Sequence, residues 1–210
     1  MPRIKELISL AKKLPYFSFS NLAAIESNKA YLKIFLSRYE KKNKLIRLKR
    51  EIYVAKEYID EVQKNNTFSF YIESIASILY QPSYLSLDYI LYKYNILTEV
   101  PKSFTSVTKK KTVSFSNKLG GFFYHKIKDE LFCGFEIVKE GDFTILGATK
   151  AKALFDFLYL RKNNLINKES VKELRINTEH FKSGDKKEIK KYIKIEGSEK
   201  MKEIFKCLFE

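Results

Sequence analysis

The sequence predicts an α+β protein in two parts: a small N-terminal unit of helices closed by a two-stranded hairpin, then a larger mixed α/β domain. Three observations carry this. Apolar residues recur at helical spacing through the first forty residues and switch to alternation near residue 45. A polar stretch over residues 57–67 follows. Beyond it, short alternating runs between residues 104 and 136 precede another helical pattern. With 210 residues, 45% of them hydrophobic, the chain has ample material for a packed core.

Residues 4–14 place Ile4, Leu7, Ile8, Ala11 and Leu14 on one helical face, and Pro15 ends the helix. Tyr16, Phe17, Ser18, Phe19 and Ser20 then form an extended piece. Ser20 is the expected N-cap of a short helix carrying Leu22, Ala23 and Ile25. Glu26, Ser27 and Asn28 make a polar turn. A second helix holds Tyr31, Leu32, Phe35, Leu36 and Tyr39 and ends in Lys41-Lys42-Asn43-Lys44. Residues 45–55 alternate through Ile46, Leu48, Ile52 and Val54, which predicts two strands joined at Lys49-Arg50-Glu51. This is the element order of a winged helix-turn-helix.

The expected division is therefore a winged helix-turn-helix over residues 1–56, a linker over 57–67 and an α+β domain over 68–210. In the larger part, helices are expected over 74–79, 85–94 and 148–159, with a break at Gln81-Pro82-Ser83. Strands are expected over 104–107, 112–115, 121–127 and 131–136, and two or three short helices follow Asn167.

Forty Lys and Arg against 25 Asp and Glu give a net charge of +15, so a polyanion is the expected partner, either nucleic acid or an anionic surface. Total charge does not separate such a surface from a lysine-rich solvated one; placement does. No run of 18 apolar residues is present, and Lys5, Glu6, Lys12 and Lys13 interrupt the N-terminal apolar pattern. Neither a membrane span nor a secretory signal is expected, and the cytoplasm is the expected compartment. Cys133 and Cys207 lack metal-ligand spacing and read as reduced thiols.

The charge is concentrated. Between Lys29 and Arg50 stand nine basic residues and a single acid, Glu40, a net +8 in about a tenth of the chain. A helix that reads DNA needs one apolar face to dock on its own domain and one polar face to enter the major groove. Leu32, Phe35, Leu36 and Tyr39 supply the first; Asn28, Lys29, Lys33 and Ser37 lie near the other. Arg47, Lys49 and Arg50 on the hairpin are placed for phosphate contacts. The competing reading is a winged helix that binds protein rather than DNA. A second cluster, Lys109-Lys110-Lys111, reads either as a backbone contact or as a solvated turn.

No catalytic constellation emerges. His125 and His180 have no Cys or carboxylate at ligand spacing, and Gly120-Gly121 is not followed by a phosphate-loop Lys-Ser or Lys-Thr. Asp156, between Phe155 and Phe157, fits a fold-locking role better than acid-base chemistry. No catalytic residue, cofactor or metal is expected.

Four segments together resemble the AbiEi family of antitoxins. They are Gln81-Pro82-Ser83-Tyr84-Leu85-Ser86-Leu87 with Leu97-Thr98-Glu99; Lys109-Lys110-Lys111-Thr112 through Gly121-Phe122-Phe123-Tyr124; Leu131-Phe132-Cys133-Gly134-Phe135; and Ala148 through Leu160, including Ala153-Leu154-Phe155-Asp156. Their order over some eighty residues carries the resemblance. Two positions depart from the family pattern: Thr149-Lys150 replace a Pro-Glu pair, and Glu51 stands where the wing has glycine, which implies a different turn. The resemblance implies a type IV antitoxin that represses its own operon by binding double-stranded DNA at promoter repeats. It further implies that the protein counteracts a nucleotidyltransferase toxin, with the antitoxic role in the C-terminal domain. A stand-alone regulator whose C-terminal domain senses a ligand or a protein partner is the alternative. An enzyme acting on nucleic acid is a third.

Overall fold

The computed structural model describes residues 2–210. The chain is mixed α+β and divides into two compact units. The first comprises residues up to Ile75 together with Phe115–Gly120; the second comprises Ala76–Ser114 and Gly121–Glu210.

The first unit runs α1 (Pro2–Lys13), β1 (Phe17–Ser18), α2 (Phe19–Ala23), α3 (Lys29–Lys41), β2 (Leu45–Lys49), β3 (Ile52–Ala55) and α4 (Lys56–Lys64). The extended piece after Pro15 is a sheet strand, because Phe17 and Ser18 pair antiparallel with Tyr53 and Ile52. The three-stranded sheet has the order β1-β3-β2. Leu7, Ala11, Phe17, Leu22, Leu32, Phe35, Leu36, Leu45, Tyr53 and Ala55 are buried in one cluster that joins the helices to the sheet.

Two expectations change here. The N-cap of α2 is Ser18, not Ser20: the Ser18 side chain accepts from the Asn21 amide, and the Ser18 amide donates to Asn21 Oδ1 at 2.7 Å. Pairing with β3 ends at Ser18, so the helix starts one residue later, at Phe19. The expected linker over residues 57–67 is largely the helix α4. Ile59 and Val62, three residues apart, are buried, and the polar residues that suggested a linker are the solvent face of this short helix. The two-unit division falls at Ile75, beyond residues 57–67.

The chain continues through α5 (Phe68–Leu79), within which the second unit begins, to β4 (Ser83–Leu85), α6 (Leu87–Lys93), β5 (Ser103–Thr108), β6 (Val113–Asn117), β7 (Gly120–Lys126), β8 (Phe135–Glu140) and β9 (Phe143–Ala148), with Phe115–Gly120 counted in the first unit. Four helices follow: α7 (Lys150–Arg161), α8 (Lys168–Lys172), α9 (Ser183–Glu196) and α10 (Glu199–Phe209). The sheet is mixed, in the order β6-β7-β5-β4-β9-β8, with β5 parallel to β7 and β4 parallel to β9. The strand expected over 131–136 is displaced. Asp129–Leu131 form a 3-10 turn, and the strand starts at Phe135 to pair antiparallel with β9 across a turn at Gly141, whose φ is 58°.

Helix α7 is buried along Ala151–Leu158, and three of the four resemblance segments meet on it. Lys152 Nζ lies 2.5 Å from Asp156 Oδ1, and both side chains are 0% exposed. Tyr84 Oη and Ser86 Oγ donate to Asp156 Oδ2 at 3.0 and 2.8 Å. The rings of Phe132 and Phe135 pack on Tyr84 at 5.1 and 4.7 Å between centroids. The Lys152 ammonium lies over the rings of Phe155 and Tyr192. Gly134, at φ 72°, sits where a Cβ would fall 2.0 Å from the Tyr192 hydroxyl, so any side chain there would displace Tyr192 and strain the backbone. Burial pushes the Asp156 carboxyl upward, while Lys152, Ser86 and Tyr84 pull it down. Solvent does not reach this pair, and its burial is compatible with the fold-locking role expected of Asp156.

Candidate nucleic-acid interface

Helix α3 is held at its start by two contacts. Asn28 Oδ1 accepts from the Tyr31 amide at 3.0 Å, and the Asn28 amide donates to Glu26 Oε1 at 2.9 Å. Asn28 is therefore the N-cap that sets where α3 begins, and its carbonyl oxygen is committed to that role. Leu32, Phe35 and Leu36 are buried against the first unit's core. At about 100° per residue the opposite face follows directly. Ala30, Lys33, Ile34, Ser37, Arg38 and Lys41 are all exposed on it, and Lys29 is exposed nearer the docked side. Ala30, Ser37 and Lys41 form the centre line of that face, with Lys33 on one side and Ile34 on the other.

Of the residues expected to contact DNA, Asn28, Lys29, Lys33 and Ser37 are all exposed; Lys33 and Ser37 lie on the outward face of α3, whereas Lys29, seven residues before the buried Leu36, stands at the edge of the docked side. Arg47 is the exposed residue in a strand whose neighbours Leu45, Ile46 and Leu48 are buried. The hairpin residues divide. Arg50 is 88% exposed at the turn. Lys49 is half-buried, with its ammonium over the Phe115 ring at 5.8 Å. Arg50, not Lys49, is the cation that projects from the tip.

Glu51 takes φ 64°, the left-handed conformation that a glycine would supply, so the expectation of a different turn is corrected on this point. The Phe19 amide, donating to the Glu51 carbonyl at 3.0 Å, helps hold the residue there. A side chain in this conformation costs energy. The contact from Arg50 Nε to Glu51 Oε1, at 4.0 Å and well exposed, returns little. Glu51→Gly is expected to raise stability by about 0.5–1 kcal/mol and to remove the one acid at a basic tip. Thermal unfolding and gel-shift titration check this; an unchanged melting point would show that the turn is unstrained.

The segment Phe115–Gly120 was not foreseen. Asn117 Nδ2 donates to the Leu48 carbonyl at 2.9 Å, and Lys118 Nζ donates to Asn43 Oδ1. Phe115 lies under Lys49. These residues buttress the hairpin and add the exposed Lys118 to its basic surface. They are some seventy positions away in sequence, and no local signal links them. Arg38 and Lys41 were also passed over as contacts, although both are exposed on the outward face, Arg38 four residues from Ile34 and Lys41 four residues from Ser37. Lys109 and Lys110, the second basic cluster, lie over the Phe132 and Tyr80 rings at 5.3 and 5.5 Å, within the second unit.

Among the described residues no group of three or more His, Cys, Asp or Glu is placed to hold a metal, and no helix is long and apolar enough to cross a membrane. Cys133 and Cys207 are free thiols. No protein-family model matches the chain, and no curated protein matches it.

Proposed function

We propose that the first unit is a winged helix-turn-helix that binds double-stranded DNA. The protein is then a cytoplasmic transcriptional repressor that serves as the antitoxin of a type IV toxin-antitoxin system. The observation that carries the DNA-binding half is the outward face of α3: three cations, Lys33, Arg38 and Lys41, and two small residues on one side, with an apolar face docked on the other. Ala30 and Ser37 on the centre line let the helix backbone approach the floor of the major groove. The order helix, strand, short helix, helix, two-stranded hairpin supports the same reading. Arg47, Arg50 and Lys118 then hold backbone phosphates beside the groove. The antitoxin half rests on the resemblance itself, whose segments pack together around Asp156. Its functional partner is a nucleotidyltransferase toxin encoded alongside.

Gel-shift titration of the protein's own promoter tests the first half. Replacing Lys29, Lys33, Arg47 and Arg50 together by Ala is expected to weaken binding at least about a hundredfold, since each phosphate contact contributes counterion release. Unchanged affinity would remove this face as the DNA-binding surface. Co-expression with the adjacent gene tests the second half: relief of growth arrest is expected. If no nucleotidyltransferase is encoded there, the antitoxin assignment falls independently of DNA binding.

A further inference from the structure

We infer that Ile34 is a base-reading residue that packs on the 5-methyl group of a thymine, so that the operator carries an A·T pair opposite the middle of α3. This rests on the reading of α3 as the groove-entering helix and goes further, to the sequence that helix selects.

The starting point is a position where the helix breaks its own pattern. The other large aliphatic side chains of α3, Leu32 and Leu36, are buried at 0% and 4%, whereas Ile34 is 51% exposed. Among the described residues of the first unit it is the one large apolar side chain that stands exposed. A single exposed aliphatic residue on an ordinary surface needs no explanation. Ile34, however, is not on an ordinary surface. Its helical neighbours at i−4, i−3, i+3 and i+4 are Ala30, Tyr31, Ser37 and Arg38, and Lys33 and Lys41 stand exposed on the same outward face, so a stiff apolar group sits among cations. The cations fix what approaches: a polyanion. On the major-groove edge of duplex DNA the thymine methyl is the apolar group a side chain can bury against. Ala30, one turn away, extends the same small apolar strip. A lysine-bearing face that met only phosphate would have no use for a branched aliphatic side chain at this place.

The test compares the native promoter fragment with the same fragment in which deoxyuridine replaces thymidine, which removes the methyl groups and keeps the base pairing. Wild-type protein is expected to bind the deoxyuridine fragment about fourfold more weakly for each methyl group it buries. Ile34→Ala, which removes an exposed side chain and leaves the core untouched, is expected to bind the thymidine fragment more weakly by a similar factor and to lose discrimination between the two. Equal affinity of wild type for both fragments overturns the inference while leaving DNA binding intact. So does full discrimination retained by Ile34→Ala, which would trace the preference to DNA shape. Failure of the wild-type protein to bind either fragment overturns the DNA-binding reading itself, and this inference with it.

Discussion

Promoter affinity is expected to fall about a thousandfold between 50 and 200 mM salt, on a log–log slope near −5. That magnitude comes from the exposed cations of α3 and the hairpin. Lys29, Lys33, Arg38, Lys41, Arg47 and Arg50 are all exposed, and each phosphate neutralised contributes about −0.9 to the slope. Arg47→Ala with Arg50→Ala should bring the slope to about −3.6 and weaken binding to all sequences alike, because phosphate contacts carry no base information. Lys49→Ala is expected to do less than Arg50→Ala, since the Lys49 ammonium lies over Phe115. Lys187→Ala, an exposed lysine of the second unit, is the control and should leave the slope unchanged. Filter-binding titrations across salt measure wild type and all four variants. A slope near zero, or one that the Arg pair does not alter, would show that these residues are merely solvated.

The part of this surface legible in the sequence was the part governed by local periodicity. The 3.6-residue pattern of Leu32, Phe35, Leu36 and Tyr39 determines which side of α3 is buried, and therefore which side Lys33 and Ser37 occupy. The alternation over 45–55 likewise sets Arg47 outward. What escaped depends on distant residues. Ser18 replaced Ser20 as a cap because β1 pairs with β3, a contact across thirty-five positions. Phe115, Asn117 and Lys118 reach the hairpin through tertiary packing alone. The missed turn at Gly141 did carry a local signal, a glycine followed by Asp142 between two alternating runs. The helix α4 was mistaken for a linker because nine residues expose more polar surface than apolar. The resemblance segments turn out to be packing signatures: Tyr84, Ser86, Phe132, Gly134, Lys152 and Asp156 are neighbours in space. They speak for the architecture of the second unit, not for a reacting group.

The same cluster sets the largest stability effect. Lys152→Met is expected to cost about 3–5 kcal/mol, because it leaves the buried Asp156 carboxylate with only the Tyr84 and Ser86 hydroxyls. Asp156→Leu should cost a comparable amount by stranding the Lys152 ammonium among the Phe155 and Tyr192 rings. Either loss is a large share of the roughly 5–15 kcal/mol that holds a folded domain together. The double variant, Lys152→Met with Asp156→Leu, should be more stable than either single one, since no charge is then left buried. Recovery stays incomplete because Tyr84 Oη and Ser86 Oγ lose their acceptor. The pH dependence has a definite sign. Burial already pushes the Asp156 carboxyl up, and removing Lys152 takes away the first of the influences that pull it down. In Lys152→Met the folded-state value therefore rises further above the unfolded one, so the neutral acid is favoured on folding. The contribution of this group is then fully present below the unfolded value and is lost as pH rises through the folded value. The stability gap between wild type and Lys152→Met should accordingly narrow from pH 8 toward pH 5. Urea unfolding of the four proteins at both pH values measures this. A single-variant cost below about 1 kcal/mol, as for an exposed pair, or a gap that widens on acidification, would show that the Lys152–Asp156 pair does not lock α7 into its domain.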